Sequence, residues 1–66
     1  MIKLTRRERQ VAVMIAEGKS SRKIAEELKI SVKTYDTHRG HILKKLKLAN
    51  SVELARHAIR EGWVVL

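Results

Sequence analysis

Ser20-Ser21-Arg22-Lys23-Ile24-Ala25-Glu26-Glu27-Leu28-Lys29-Ile30-Ser31-Val32-Lys33-Thr34-Tyr35 reads as two helix beginnings separated by a short break. Ser20 or Ser21 stands before Ile24, Ala25 and Leu28, which recur at helical spacing over about eight residues. A helix that brief does not stand alone in water and must pack on a neighbour. Lys29-Ile30-Ser31 interrupts it, and Ser31 can cap the next helix by accepting from a first-turn N–H. That next helix runs from Val32 to Leu46. On a wheel of about 100° per residue, Val32, Tyr35, His38, Ile42 and Leu46 share one face. Lys33, Thr37, Gly40 and Lys44 point the opposite way, with Asp36 and Lys47 on a flank. Ala25 falls where the two helices cross, and a larger side chain there would hold them apart. A short helix, a tight turn and a longer helix with a polar outward face form a helix-turn-helix pattern. Such a unit offers its second helix to the major groove of DNA.

On the N-terminal side, Thr5-Arg6-Arg7-Glu8 has capping-box spacing. Val11, Met14 and Ile15 follow at helical spacing with Ala12 and Ala16 beside them, and Gly18 ends the helix, which spans Arg6 to Glu17. On the C-terminal side, Asn50-Ser51-Val52-Glu53 repeats the capping-box spacing. The last helix continues through Leu54, Ala55, Ala58 and Ile59 to Gly62, before the apolar tail Trp63-Val64-Val65-Leu66. No segment alternates with period two long enough to be a strand. The expectation is an all-α, four-helix bundle-like domain over residues 1–66, with the helix-turn-helix at about 21–46 and a last helix at about 51–61.

Composition agrees with a nucleic-acid partner. The chain has 66 residues, with 15 Lys and Arg against 7 Asp and Glu, for a net charge of +8. The sequence pI is about 10.5. That balance points to a polyanion. The charge is even, +4 in residues 1–29 and +4 in residues 30–66, so no basic tail explains it. An apolar fraction of 44% suits a globular chain and is too high for a disordered basic tail. The absence of cysteine excludes disulfides and thiolate metal sites, and the three histidines lack metal-ligand spacing with carboxylates. No apolar run approaches the roughly 18 residues a membrane span needs. Met1-Ile2-Lys3-Leu4-Thr5-Arg6-Arg7 meets charge before any apolar stretch, unlike a signal peptide, so a cytoplasmic location is expected. There is no carboxylate pair, no nucleophile with a base and no phosphate-cradling glycine loop, so no enzyme, cofactor or small-molecule ligand is expected.

Leu4-Thr5-x-Arg7-Glu8-Arg9-x-Val11, Gly18-Lys19-Ser20, Ile24-Ala25-x-x-Leu28, Ile30-Ser31-Val32-Lys33-Thr34, His38 and Lys45-Leu46 together resemble the LuxR/GerE-type DNA-binding domain. The likeness is greatest to the output domain of NarL/FixJ response regulators. It implies four helices, of which the third reads DNA and the fourth dimerises. It also implies base contacts from Lys33, Asp36, Thr37 and Gly40, largely the set the wheel turns outward. Ser20, Arg22 and Thr34 fall where family members meet phosphate.

Departures from the family pattern and neighbouring charges add further expectations. Lys23 stands where a capping glutamate is usual and brings a phosphate-facing charge. Lys29 holds a turn position often taken by glycine, at a cost of about 1–2 kcal/mol if left-handed. Tyr35 replaces a small valine, so either the core makes room or its hydroxyl reaches the surface. Asp36 repels phosphate and fits a DNA-facing helix only by accepting from a cytosine amino group. Lys44, Lys45 and Lys47 cluster at the end of the third helix, with Lys44 and Lys45 assigned to phosphate. Arg39 is open between phosphate and an i,i+3 pair with Asp36. His38 is read as a core residue, His41 as an edge residue near phosphate and His57 as surface. Gly40, costly by roughly 1 kcal/mol inside a helix, would let the helix approach the groove floor.

On the last helix, Val52, Leu54, Ala55, Ala58 and Ile59 sweep a wider arc than its own core requires. Val52, Ala55, Ile59 and Trp63 are therefore the expected dimer surface; the alternative is that the tail folds back over helix one. The expected function is sequence-specific binding of double-stranded DNA by a transcriptional regulator, as a homodimer on an inverted repeat. Two alternatives remain: a sigma-factor region-four-like module contacting RNA polymerase, and a helix-mediated protein-interaction module. With Met1 four residues before the first helix and no linker, the chain is expected to be either an autonomous small regulator or an excised output domain.

Overall fold

Each helix begins at a side chain that accepts from its own first turn. In the computed structural model, which describes residues 4–64, Thr5 caps α1 (Arg6–Ala16) and Ser20 caps α2 (Ser21–Leu28). Ser31 caps α3 (Val32–Leu46) and Asn50 caps α4 (Ser51–Arg60). The box on α1 is reciprocal: Glu8 N–H donates to Thr5 Oγ1 at 3.1 Å and Thr5 N–H to Glu8 Oε1 at 2.8 Å. The expected box on α4 closes differently, because Glu53 Oε1 accepts from Ala49 N–H at 2.8 Å rather than from Asn50. Asn50 enters with φ −160°, where Thr5, Ser20 and Ser31 have −69° to −75°, so the amide facing Glu53 is Ala49's.

The helices end alike. Gly18, Lys29, Lys47 and Gly62 all have positive φ, of 86°, 57°, 57° and 77°. After the last three, the next N–H reaches back into the helix: Ile30 to Ala25 O, Leu48 to Leu43 O and Trp63 to Ala58 O, each at 2.9 Å. Ile30, Leu48 and Trp63 then pack against the core. That apolar contact, usual in this kind of helix stop, offsets the strain of a left-handed lysine. Lys29 behaves as its turn position suggested. Lys47 is a helix stop rather than a flank residue.

Val11, Ile24, Ile42 and Leu54 are wholly buried, one from each helix, with Ala12, Met14, Ala25, Tyr35 and Ala58 between them. α1 lies against α4 and α3, and α2 against α3; α3 and α4 touch least. Two expectations for the core need correction. Val32, assigned to the apolar face of α3, is 43% exposed; as the first residue of the helix it lies at the turn, at the margin of what α2 covers. Trp63, assigned to the dimer surface, is half-buried against the core. The Arg9 guanidinium lies 5.0 Å over its ring and the His57 ring meets it edge-on at 5.4 Å. The start of the tail therefore folds back on α1, as the alternative had it, and His57 is part of that contact rather than plain surface. Val65 and Leu66 lie outside the described residues.

Candidate nucleic-acid interface

α3 carries the site because its two faces are chemically opposite. Tyr35 and Ile42 anchor it in the core. Lys33, Asp36, Thr37, Gly40, His41 and Lys44 are all exposed. Fifteen residues make a rod about 22 Å long and 10–12 Å wide, which the major groove admits. The four residues expected at base edges, Lys33, Asp36, Thr37 and Gly40, thus share one accessible face. Thr37 Oγ1 donates to Lys33 O at 3.1 Å, one turn back. With its proton spent, the exposed Thr37 has acceptor lone pairs and a methyl to offer, a chemistry that suits a base amino group or a thymine methyl.

Gly40 is exposed, and a Cβ built there would meet nothing within 4 Å. Packing does not require the glycine. Gly40→Ala should therefore raise the stability of the free domain by about 1 kcal/mol. If the helix lies close to the groove floor, the same change weakens DNA binding. Thermal melting and a duplex titration of one variant read both effects, and unchanged DNA affinity would remove Gly40 from the interface.

Ser20, Arg22 and Lys23 are exposed at the start of α2. Ser20 Oγ accepts from Lys23 N–H at 3.1 Å and keeps its own proton to donate. Lys23 Nζ lies 3.9 Å from Glu27, a loose pair open to solvent. On α3, Ser31 Oγ donates to Thr34 Oγ1 at 2.9 Å, and Thr34 keeps its own hydroxyl proton to donate. Lys44 is exposed beside this surface.

Two of the expected phosphate ligands are otherwise engaged. Lys45 Nζ sits 2.7 Å from Glu8 Oε1, and Glu8 is only 6% exposed. The Lys45 ammonium, followed by the Thr5 amide, holds the Glu8 carboxyl below the ordinary carboxylate range. The capping-box spacing accounts for only one of the two roles of Glu8. Its place one turn before Val11 and Ala12, on the apolar face of α1, was the available signal of burial. Arg39 Nη1 donates to Ser51 Oγ on α4 at 3.2 Å, a partner other than the phosphate or Asp36 between which the sequence left it open.

On α4, Val52 is 61% and Ile59 37% exposed, with Ala55 half-buried between them. Ala55 and Val52 also line a surface groove with Ser21, Tyr35 and Ser51. Tyr35 answers both earlier alternatives: its ring is accommodated in the core, at 4% exposure, and it borders this groove. Burial raises its phenol pKa.

A capped short helix, a left-handed turn and a second helix anchored on one face and polar on the other define a helix-turn-helix domain of the DNA-binding kind. The chain belongs to the luxR family of bacterial regulatory proteins (GerE), whose family model matches residues 3–58. It is similar to the transcriptional regulatory protein UhpA of Salmonella typhimurium, 50% identical over 60 residues, covering 91% of this chain and 30% of that protein. The uncharacterized response regulatory protein YgeK of Escherichia coli is 44% identical over 59 residues, covering 89% and 40%. The oxygen regulatory protein NreC of Staphylococcus carnosus is 40% identical over 58 residues, covering 88% and 27%. The chain thus spans between about a quarter and two fifths of the length of these relatives.

Proposed function

We propose that this chain is the output domain of a bacterial response regulator and binds double-stranded DNA sequence-specifically as a homodimer on an inverted repeat. The observation that carries the reading is the exposed face of α3, with Lys33, Asp36, Thr37 and Gly40 together and Lys44 beside them. Those four residues read base edges. Ser20, Arg22, Lys23, Thr34 and Lys44 hold phosphate and set the register. Val52, Ala55 and Ile59 form the two-fold contact, with half-sites about one helical turn, roughly 34 Å, apart. Three side chains on one short helix are a small patch, far from the about 800 Å² per partner of a standard interface. The dimer is therefore weak in free solution and forms on DNA. The domain works in the bacterial cytoplasm, where the regulator acts on transcription by RNA polymerase.

Binding-site selection from a randomised duplex pool tests the assignment. Lys44→Ala should weaken all sequences alike and return the wild-type preference. Lys33→Ala or Thr37→Val should return a different preferred base at one position, each base contact being worth about 1–3 kcal/mol. If both kinds of variant behave identically, the outward residues are misassigned. If the wild-type chain selects no sequence at low salt, the domain is not a DNA reader.

A further inference from the structure

Arg39 joins the reading helix to the dimer helix at one point. Its Nη1 donates to Ser51 Oγ across twelve residues of chain, at 3.2 Å and partly shielded from water. Gly40 follows Arg39 on the face expected to meet bases. Val52, the most exposed apolar side chain of α4, follows Ser51. The bond thus spans the interval between the two surfaces, each one residue away from it.

Direct packing between these two helices is sparse, and what they share otherwise is α1 and the common core. α4 is seated mainly on α1, and its packing on α3 is the sparsest between any two helices in contact. The connection at residues 47–50 holds a left-handed Lys47 and an extended Asn50, and its Ala49 and Asn50 are exposed. A charged donor to a hydroxyl is the stronger kind of hydrogen bond, and a guanidinium holds direction where a lysine ammonium would not.

We infer that Arg39, through Ser51, is a positioning residue that fixes the angle of α4 relative to α3, and so couples pairing of two domains to the seating of each on its half-site. The inference rests on the dimeric reading above. Without the bond, each domain still reads its own half-site, but α4 is held only through α1 and the core, and the α4 of one copy meets that of the other at a less sharply defined angle. Cooperativity between half-sites falls while base preference stays.

The test uses the full chain and duplexes chosen by wild-type selection, one bearing a single half-site and one bearing both. The quantity measured is the ratio of two-site to one-site affinity. Ser51→Ala, which removes only the acceptor, should lower that ratio about three- to tenfold with one-site affinity unchanged. Arg39→Gln should lower the ratio by the same factor, and the double variant should lower it no further, as a shared interaction requires. An unchanged ratio in Ser51→Ala, or losses that add in the double variant, would overturn the coupling while leaving the dimeric reading intact. A one-site loss in Arg39→Gln with a shallower salt slope would instead return Arg39 to phosphate and overturn it too. A wild-type ratio of one would remove the dimeric reading and the coupling together.

Discussion

Lys45→Met is expected to cost the domain about 2–4 kcal/mol, most of the roughly 3–5 kcal/mol that a core of this size supplies. The reason lies in Glu8. It is 6% exposed, and one of its carboxylate oxygens accepts from both the Thr5 amide and the Lys45 ammonium. Removing Lys45 leaves a buried carboxylate with its cap alone. Breaking a buried pair by deleting one partner costs about 3–5 kcal/mol, and the 36% exposure of the Lys45 side chain moderates that figure. Urea or thermal denaturation of the DNA-free chain measures the loss. A variant that melts with the wild type would show the pair to be dispensable. The pH dependence has a fixed sign. Because the folded-state pKa of Glu8 is depressed, its contribution is present above the unfolded value of about 4.3 and is lost as pH falls through the folded value. The wild-type chain should therefore lose stability below about pH 5. Glu8→Gln, with no carboxylate to protonate, should show a flatter acid limb, and an identical limb would mean that another carboxylate governs it.

Those two residues also show what the sequence left hidden. Ser31 and the apolar spacing from Val32 to Leu46 encode contacts three or four residues apart, and the observed α3 has those same ends. Lys29, in a three-residue break between two helices, had to reverse the chain, and it does so with φ 57°. Lys47 does the same at the end of α3, but a lysine carries neither the glycine nor the asparagine signal of a left-handed stop. Lys45 and Glu8 are 37 positions apart, and Arg39 and Ser51 are 12. The wheel turns Lys44 away from the apolar face and sets Arg39 and Lys45 at its flanks, and it says nothing of the groups they meet there. Which group each flanking cation meets depends on how α1 and α4 pack against α3, and a helical wheel contains no neighbours. Val32 and Trp63 differed for the same reason: an apolar residue is buried only where another element lies over it. The outward face of α3 was legible because it opposes a strongly apolar one on the same helix.

The affinity for DNA should fall by roughly two to three orders of magnitude per subunit between 50 and 200 mM salt, a slope of log K against log salt near −4, and at most −5. Each phosphate neutralised on a duplex contributes about −0.9 to the slope, so this range corresponds to four to six contacts. The pairing of Lys45 with Glu8 places the expected value at the shallower end, because that ammonium already has a carboxylate partner. The two neighbouring lysines should then separate cleanly. Lys44→Ala should make the slope shallower by about 1, since an exposed ammonium no longer displaces a counterion. Lys45→Met, measured under conditions where it remains folded, should keep the wild-type slope despite carrying the same change in charge. Titration of one selected duplex at four or five salt concentrations measures all three slopes. Equal effects from both lysines would mean that Lys45 leaves Glu8 for phosphate when DNA binds. A wild-type slope shallower than −2 would rule out phosphate neutralisation as the main source of affinity, because exposed cations arranged around a groove-seated helix cannot bind a duplex without releasing its counterions.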